Sequence, residues 1–228
     1  FENKFPSLKT PPPEIDVAGS QIYPVAPSVG VCEVICYSPD HNRTLGDQSV
    51  EHIYNLVQVW TDRYQEIGAK EEIEYVFIFE NRGEAVGVTL HHPHGQIYGF
   101  PFIPPILQKE LNSAKEHHTK TGNCLYCDIL KQELEDQIRV IDQNHSFAAF
   151  VPFFARFPFE VHILARRHVS SLAELTDEEQ YDLAKTLKQV ITLYDRLFDK
   201  PLPYLMVLHQ SPTKNVYDEY HFHIEFYP

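Results

Sequence analysis

No apolar run in the 228 residues approaches the roughly 20 needed to span a bilayer, so no membrane-spanning helix is expected. Nothing at the start resembles a signal peptide. Cysteine is scarce: Cys32, Cys36, Cys124 and Cys127 are too few for a disulfide framework in a chain this long, which favours a reducing, cytoplasmic setting. Basic residues are outnumbered, 19 Lys and Arg against 32 Asp and Glu, giving a net charge of −13. That balance argues against nucleic acid as a partner, because phosphate backbones select basic faces. A small anionic ligand stays open, since a pocket needs only local donors.

What is present is an ordinary globular composition that repeats its own pattern. After a proline-rich loop over 10–30, a strand over Val31–Tyr37 leads to Pro39-Asp40-His41. A helix follows from about Ser49 to Ile67, with Ile53, Leu56, Val57, Trp60 and Tyr64 at helical spacing. Next come a strand from Ile73 to Phe79, a glycine-containing turn, and a strand carrying His92 and His94. The order then recurs: a strand over Phe159–Ala165, Arg166-Arg167-His168, and a helix opened by the capping box Thr176-Asp-Glu-Glu179. A strand over Tyr204–Leu208 and a last strand carrying His221 and His223 complete it. His41 precedes His92 by 51 residues and His168 precedes His221 by 53. Four elements in one order suggest duplication. The expected fold is α+β, an antiparallel sheet with one long helix per repeat, divided into 1–107 and 108–228. Phe1–Phe5 reads as a strand, and 108–121 as helical or linker-like. The chain begins inside one expected strand and stops just after another, so a longer parent protein is expected.

In an extended strand alternate residues share a face, so His92, His94 and Gln96 point one way and His221, His223 and Glu225 do the same in the second repeat. Neutral imidazole can attack phosphorus and split a difficult transfer into two displacements. Gly95 would give a phosphoryl group room near the backbone, and Gln96 can donate an amide hydrogen bond to it without adding charge. Gly87 and Thr89 could add donors. These residues suit transfer at a nucleotide phosphate, with His94 as nucleophile. Cys124-Leu-Tyr-Cys127 has the spacing of a metal knuckle or a redox motif, and Cys32 and Cys36 read as core residues.

His92-Pro-His94-Gly-Gln96 resembles the signature of the galactose-1-phosphate uridylyltransferase family, a branch of the histidine-triad superfamily. Phe1-Glu-Asn-Lys-Phe5, Val34-Ile-Cys-Tyr-Ser-Pro-Asp-His41, Phe79-Glu-Asn-Arg-Gly83, Phe157-Pro-Phe-Glu160 and His223-Ile-Glu-Phe-Tyr-Pro228 extend the likeness along nearly the whole chain. The resemblance implies a duplicated histidine-triad-like fold whose first repeat is catalytic. It also implies ping-pong exchange of a uridylyl group between UDP-glucose and galactose 1-phosphate through a uridylyl-histidine at His94. Gln96 would hold the phosphoryl group, Phe1, Asn3, Phe5 and Val34 would meet uridine, and Asn81, Gly87 and Thr89 would surround the phosphates. Cys124, Cys127, His168 and His221 would bind structural zinc. His41 and His92 would be the histidine half of a first-repeat zinc site whose cysteines lie upstream. A second metal set would be Glu110, His209, His223 and Glu225, the last departing from the family's histidine. A homodimer is implied. Rival readings are a nucleotidyltransferase or phosphorylase acting on ADP-sugars or dinucleoside polyphosphates, and a noncatalytic nucleotide-binding module.

Overall fold

The computed structural model describes all residues except Glu2, Thr89 and His91. Two long helices carry most of the core. Helix α1 (Val50–Gly68) starts where the Ser49 side chain accepts from the His52 amide, and buries Ile53, Leu56, Val57, Trp60, Tyr64 and Ile67 along one stripe. Helix α4 (Asp177–Arg196) starts with the reciprocal Thr176–Glu179 capping box and buries Leu183, Leu187, Val190, Ile191 and Tyr194. The two pack against each other and against one face of a single sheet. Each fully buried large side chain there contributes about 1.5–3 kcal/mol of transfer free energy before ordering entropy is subtracted.

The sheet has eight strands: β1 (Val31–Cys36), β2 (Tyr75–Arg82), β3 (His94–Phe100), β4 (Val140–Gln143), β5 (Phe147–Phe150), β6 (Val161–Ala165), β7 (Tyr204–His209) and β8 (His223–Tyr227). Its order is β1-β3-β2-β7-β8-β6-β5-β4, antiparallel throughout. The first half contributes β1-β3-β2, and the second contributes the mirror order β7-β8-β6 across the central β2–β7 pair. The two halves therefore share one sheet and one helix-covered core.

Alternation along the strands gives the sheet two characters. Val76 and Ile78 of β2, Ile97 of β3, Met206 and Leu208 of β7, and Ile224 and Phe226 of β8 face α1 and α4. The other face is covered in its second half by α2 (Pro105–Thr121) and α3 (Leu125–Asp136), through Leu107, Leu111, Ala114, Tyr126 and Leu130. His94, Gln96, His209, His223 and Glu225 all belong to this second face.

Several local expectations change. The described residues of Phe1–Phe5 form no regular strand: Asn3 N–H donates to Cys32 O and Val34 N–H to Phe1 O, both 2.9 Å, and the Asn3 side chain accepts from the Phe5 amide. The histidine-bearing strands begin at His94 and His223, so His92 and His221 stand just before them. Residues 105–121 form helix, and α3, β4 and β5 have no counterpart in the pattern read from sequence. Cys32 is buried as expected, but Cys36 is exposed.

Candidate active site and metal centres

The catalytic candidates lie at the start of β3. Its register places Cys36 opposite His94 and Val34 opposite Gln96 on one side. On the other side Phe79 is opposite Gln96, and Asn81, two residues further along β2, points to the same face as Phe79. Val34, Asn81, His94 and Gln96 thus share a face. His94 Nδ1 lies 2.7 Å from the His92 carbonyl. A carbonyl can only accept, so Nδ1 carries the proton and Nε2 keeps its lone pair. Gln96 Oε1 accepts from the Tyr98 hydroxyl at 3.2 Å, which leaves the amide N–H groups to donate elsewhere. The Asn81 Oδ1 is buried without a partner, as a ligand-facing group in an empty site would be.

His94 opens onto a cleft of about 100 Å³ lined also by His92, Arg43, Thr44, Glu80, Asn81, Arg82, Val88 and Leu90. Arg82 pairs with Asp195 and leaves Nη1 buried and unpartnered, while Arg43 pairs with Asp40 at 3.1 Å. Both arginines went unremarked in the sequence, although Arg82 stands in the quoted Phe79-Glu-Asn-Arg-Gly83 stretch. Burial raises the Glu80 carboxyl to about 7, against the opposing pull of Arg82 and the Tyr204 and Tyr37 hydroxyls. Phe1 and Phe5 are exposed beside the outer edge of β1. Gly87, at φ 84°, lies in the loop whose Val88 and Leu90 reach the cleft. Thr89 lies outside the described residues. Gly95 does not serve the phosphoryl side: its missing Cβ would point to the core, 2.1 Å from the Tyr37 hydroxyl oxygen.

In the second half Cys124, Cys127, His168 and His221 converge, with every ligand atom within 4.8 Å of the others. Sulfur-to-nitrogen distances are 3.3, 3.4 and 3.9 Å, against about 3.5 Å for the edge of a tetrahedral zinc site. His168 Nε2 donates to Asp218 O at 2.8 Å and His221 Nε2 to Ala165 O at 2.9 Å. Backbone carbonyls thereby fix both tautomers so that each Nδ1 lone pair faces the thiols. A hydrogen bond from Cys127 lowers the Cys124 pKa. These residues fit a soft, four-coordinate cation.

Glu110, His209, His223 and Glu225 form a second converging set. His209 Nδ1 donates to Glu110 at 2.9 Å and His223 Nδ1 to the His221 carbonyl at 2.9 Å. That leaves His209 Nε2 and His223 Nε2 buried without hydrogen bonds, each 3.4 Å from a Glu225 oxygen. Burial acts to raise Glu225, but His209, His223 and His162 outweigh it and hold the carboxylate far below its usual range. Two orphaned imidazole nitrogens facing a carboxylate fit a bound cation. His41 and His92 meet through Nδ1 atoms 3.2 Å apart, and neither belongs to a ligand group of three or more among the described residues.

Family models match both halves of the chain. The N-terminal domain of galactose-1-phosphate uridyl transferase matches residues 1–104, and its C-terminal domain matches 110–228. The galactose-1-phosphate uridylyltransferase of Thermotoga maritima is 43% identical over 230 residues, covering all of this chain and 72% of that protein. Those of Haemophilus influenzae and Rattus norvegicus are each 35% identical over the whole chain, which spans 65% and 61% of their lengths. A solved uridylyltransferase superposes with a TM-score of 0.91 at 38% identity, over 99% of this chain and 72% of that one. An ADP-glucose phosphorylase from Arabidopsis thaliana, solved with ADP-glucose bound, superposes at 0.86 with 26% identity, over 100% and 70%. Matches that run through both halves, with 43% identity to a relative over the whole chain, place the chain in the galactose-1-phosphate uridyl transferase family.

Proposed function

We propose that the chain carries the active-site strand of a hexose-1-phosphate uridylyltransferase, with His94 as nucleophile. The observation that carries this reading is the His94 imidazole, which lines a cleft and whose Nδ1–H is held by the His92 carbonyl, so that Nε2 keeps its lone pair. In the first half-reaction Nε2 attacks the α-phosphorus of UDP-glucose. A nitrogen–phosphorus bond forms, the bond to the bridging oxygen breaks, and glucose 1-phosphate leaves with that oxygen. The uridylyl-imidazole keeps its Nδ1 proton and is cationic, and the accepting carbonyl stabilises that charge. A phosphate oxygen of galactose 1-phosphate then attacks the same phosphorus, imidazole departs neutral, and UDP-galactose is released. No net proton moves. Gln96 donates to the phosphoryl oxygens without opposing their charge, and Asn81 and Arg82 border the same space. Phe1, Asn3, Phe5 and Val34 serve the base, and Gly87 and Thr89 the phosphates.

The two halves act unequally in this reading: 1–107 does the chemistry and 108–228 is tied by zinc on Cys124, Cys127, His168 and His221. When bound, zinc supplies cross-linking of α3 to the loops before α4 and β8. A second cation sits on Glu110, His209, His223 and Glu225, and His41 and His92 form half of a further zinc site. The working unit is a cytoplasmic homodimer, checked by sedimentation of the full-length protein.

The adenine-specific alternative has one observation in its favour, the bound ADP-glucose of the Arabidopsis relative. Trapping the covalent adduct separates the two. Full-length protein is expected to carry a nucleotide on His94 after UDP-glucose and not after ADP-glucose, and the reverse labelling would reject uridylyl transfer. Absence of labelled glucose 1-phosphate exchange with either sugar nucleotide would favour a noncatalytic binding module.

A further inference from the structure

Gly95 separates the two side chains of the proposed chemistry, and its buried side faces α1 and α4, away from the substrate. Tyr37 follows directly on β1 and is held to the catalytic segment by its own amide, which donates to the Pro93 carbonyl at 2.9 Å. Its ring is 2% exposed and meets Trp60 edge-on at 6.2 Å. From there the phenol runs beneath β3. A Cβ on Gly95 would lie 2.1 Å from the Tyr37 hydroxyl oxygen and 2.8 Å from Cζ, so the glycine is what lets the phenol touch the backbone. Glu80, 5% exposed, stands on the neighbouring strand β2, one residue past the Phe79–Gln96 pair. One Glu80 oxygen accepts from the Tyr204 hydroxyl at 3.3 Å. The other oxygen and the Tyr37 hydroxyl are both buried without a hydrogen-bond partner, and each perturbs the other's ionisation.

Burying a carboxyl and a phenol beneath the sheet costs stability. Val76, Ile78 and Ile97 show what that face uses elsewhere. The Tyr37–Glu80 pair lies beneath the strand that carries His94 and Gln96. Tyr37 occupies the volume a side chain would need, which blocks β3 from settling toward the core. Glu80 places a carboxyl beside that hydroxyl. The groups facing Glu80 are Tyr37, Tyr204, Arg82 and Asp195.

We propose that Tyr37 and Glu80 are positioning residues for the transfer: wedged beneath Gly95, they fix the height of the backbone that presents His94 and Gln96 to the phosphorus. The proposal rests on the transferase reading for its catalytic consequence, but its structural half can be read without turnover. Displacements of about 1 Å at a reacting group cost up to about 100-fold in rate, which is the scale a lost wedge reaches.

Tyr37→Phe keeps the ring on Trp60 and removes only the wedge oxygen. In full-length protein it is expected to lower kcat for glucose 1-phosphate exchange about 10-fold or more, with KM for UDP-glucose within about twofold. The ring ¹⁵N resonances of His94, identified by their loss in His94→Ala, are expected to shift. Glu80→Gln keeps a polar group under the hydroxyl and is expected to retain kcat within about threefold, whereas Glu80→Leu falls with Tyr37→Phe. Unchanged kcat and unchanged His94 resonances in Tyr37→Phe, with only a lower melting temperature, would overturn the proposal. Should wild type form no nucleotidyl-histidine at all, the transferase reading fails by itself, and the His94 resonances still decide whether the wedge positions the strand.

Discussion

The two histidine strands share one backbone device and put it to opposite electrostatic use. His94 Nδ1 is held by the His92 carbonyl at 2.7 Å, and His223 Nδ1 by the His221 carbonyl at 2.9 Å, so both rings project Nε2 from the same sheet face. In the first half the ring is partly open to a cleft and its neighbour is the neutral amide of Gln96. In the second it is fully buried, stacked between Tyr126 and His209, and its neighbour is the Glu225 carboxylate. A neutral donor beside an exposed lone pair suits an anion. A carboxylate beside buried lone pairs suits a cation. The lesson is that the strand supplies a lone pair of fixed direction, while the residue two positions later and the helix cover decide what that lone pair meets.

The sharpest break in the comparison is His94→Ala. It is expected to abolish covalent nucleotide labelling and lower exchange by about 10⁴-fold or more, whereas a nucleophile elsewhere would leave labelling intact. Next is Gln96→Glu, which imports the second half's carboxylate into the first. At about 4 Å from a phosphate and an effective dielectric near 20, a like charge costs roughly 4 kcal/mol, so kcat/KM is expected to fall by about 100- to 1000-fold. A variant as active as wild type would show that charge at this position does not distinguish the halves.

Cys124→Ser tests the zinc site proposed for the second half. Purified protein is expected to lose about one equivalent of zinc by elemental analysis and about 5–10 °C of melting temperature. Unchanged metal content would remove the zinc assignment.

The smallest effect concerns two buried carboxylates with opposite shifts, Glu225 lowered by its histidines and Glu80 raised to about 7 by burial. With its folded pKa above the unfolded carboxylate value, Glu80 binds more protons in the native state between about pH 4.5 and 7. Its penalty is absent below that window, grows as pH rises through it, and is complete above. Glu80→Gln is therefore expected to melt higher than wild type at pH 8, by the equivalent of about 2–3 kcal/mol at most, and to converge with it near pH 4.5. A pH-independent difference would place the Glu80 pKa near its ordinary value.

Much of this was legible because it is local. The α1 and α4 stripes follow from a 3.6-residue period, the Thr176–Glu179 box from three-residue spacing, and the shared face of His94 and Gln96 from strand alternation. Asn81 was also reachable, though only through resemblance. Missed were α3, which follows the polar α2 with weak periodicity, and the short strands β4 and β5, where a four-residue run such as Phe147-Ala-Ala-Phe150 reads equally as helix or strand. Cys36 was misplaced because a strand at the sheet edge leaves its last residue to solvent.

The sequence by itself determined which residues could do chemistry: a nucleophilic imidazole with a neutral amide beside it, a cysteine pair at knuckle spacing, and a pattern stated twice. Tertiary structure decided what those residues meet. Pairing β2 with β7 fused the two statements into one sheet. Residues 97 and 94 apart brought His221 to Cys124 and Cys127, and 99 apart brought His209 to Glu110. The space beneath Gly95 went to Tyr37, and the strand opposite supplied Glu80. These are contacts between segments distant along the chain, set by packing and by the need to pair buried polar groups, and no local period encodes them.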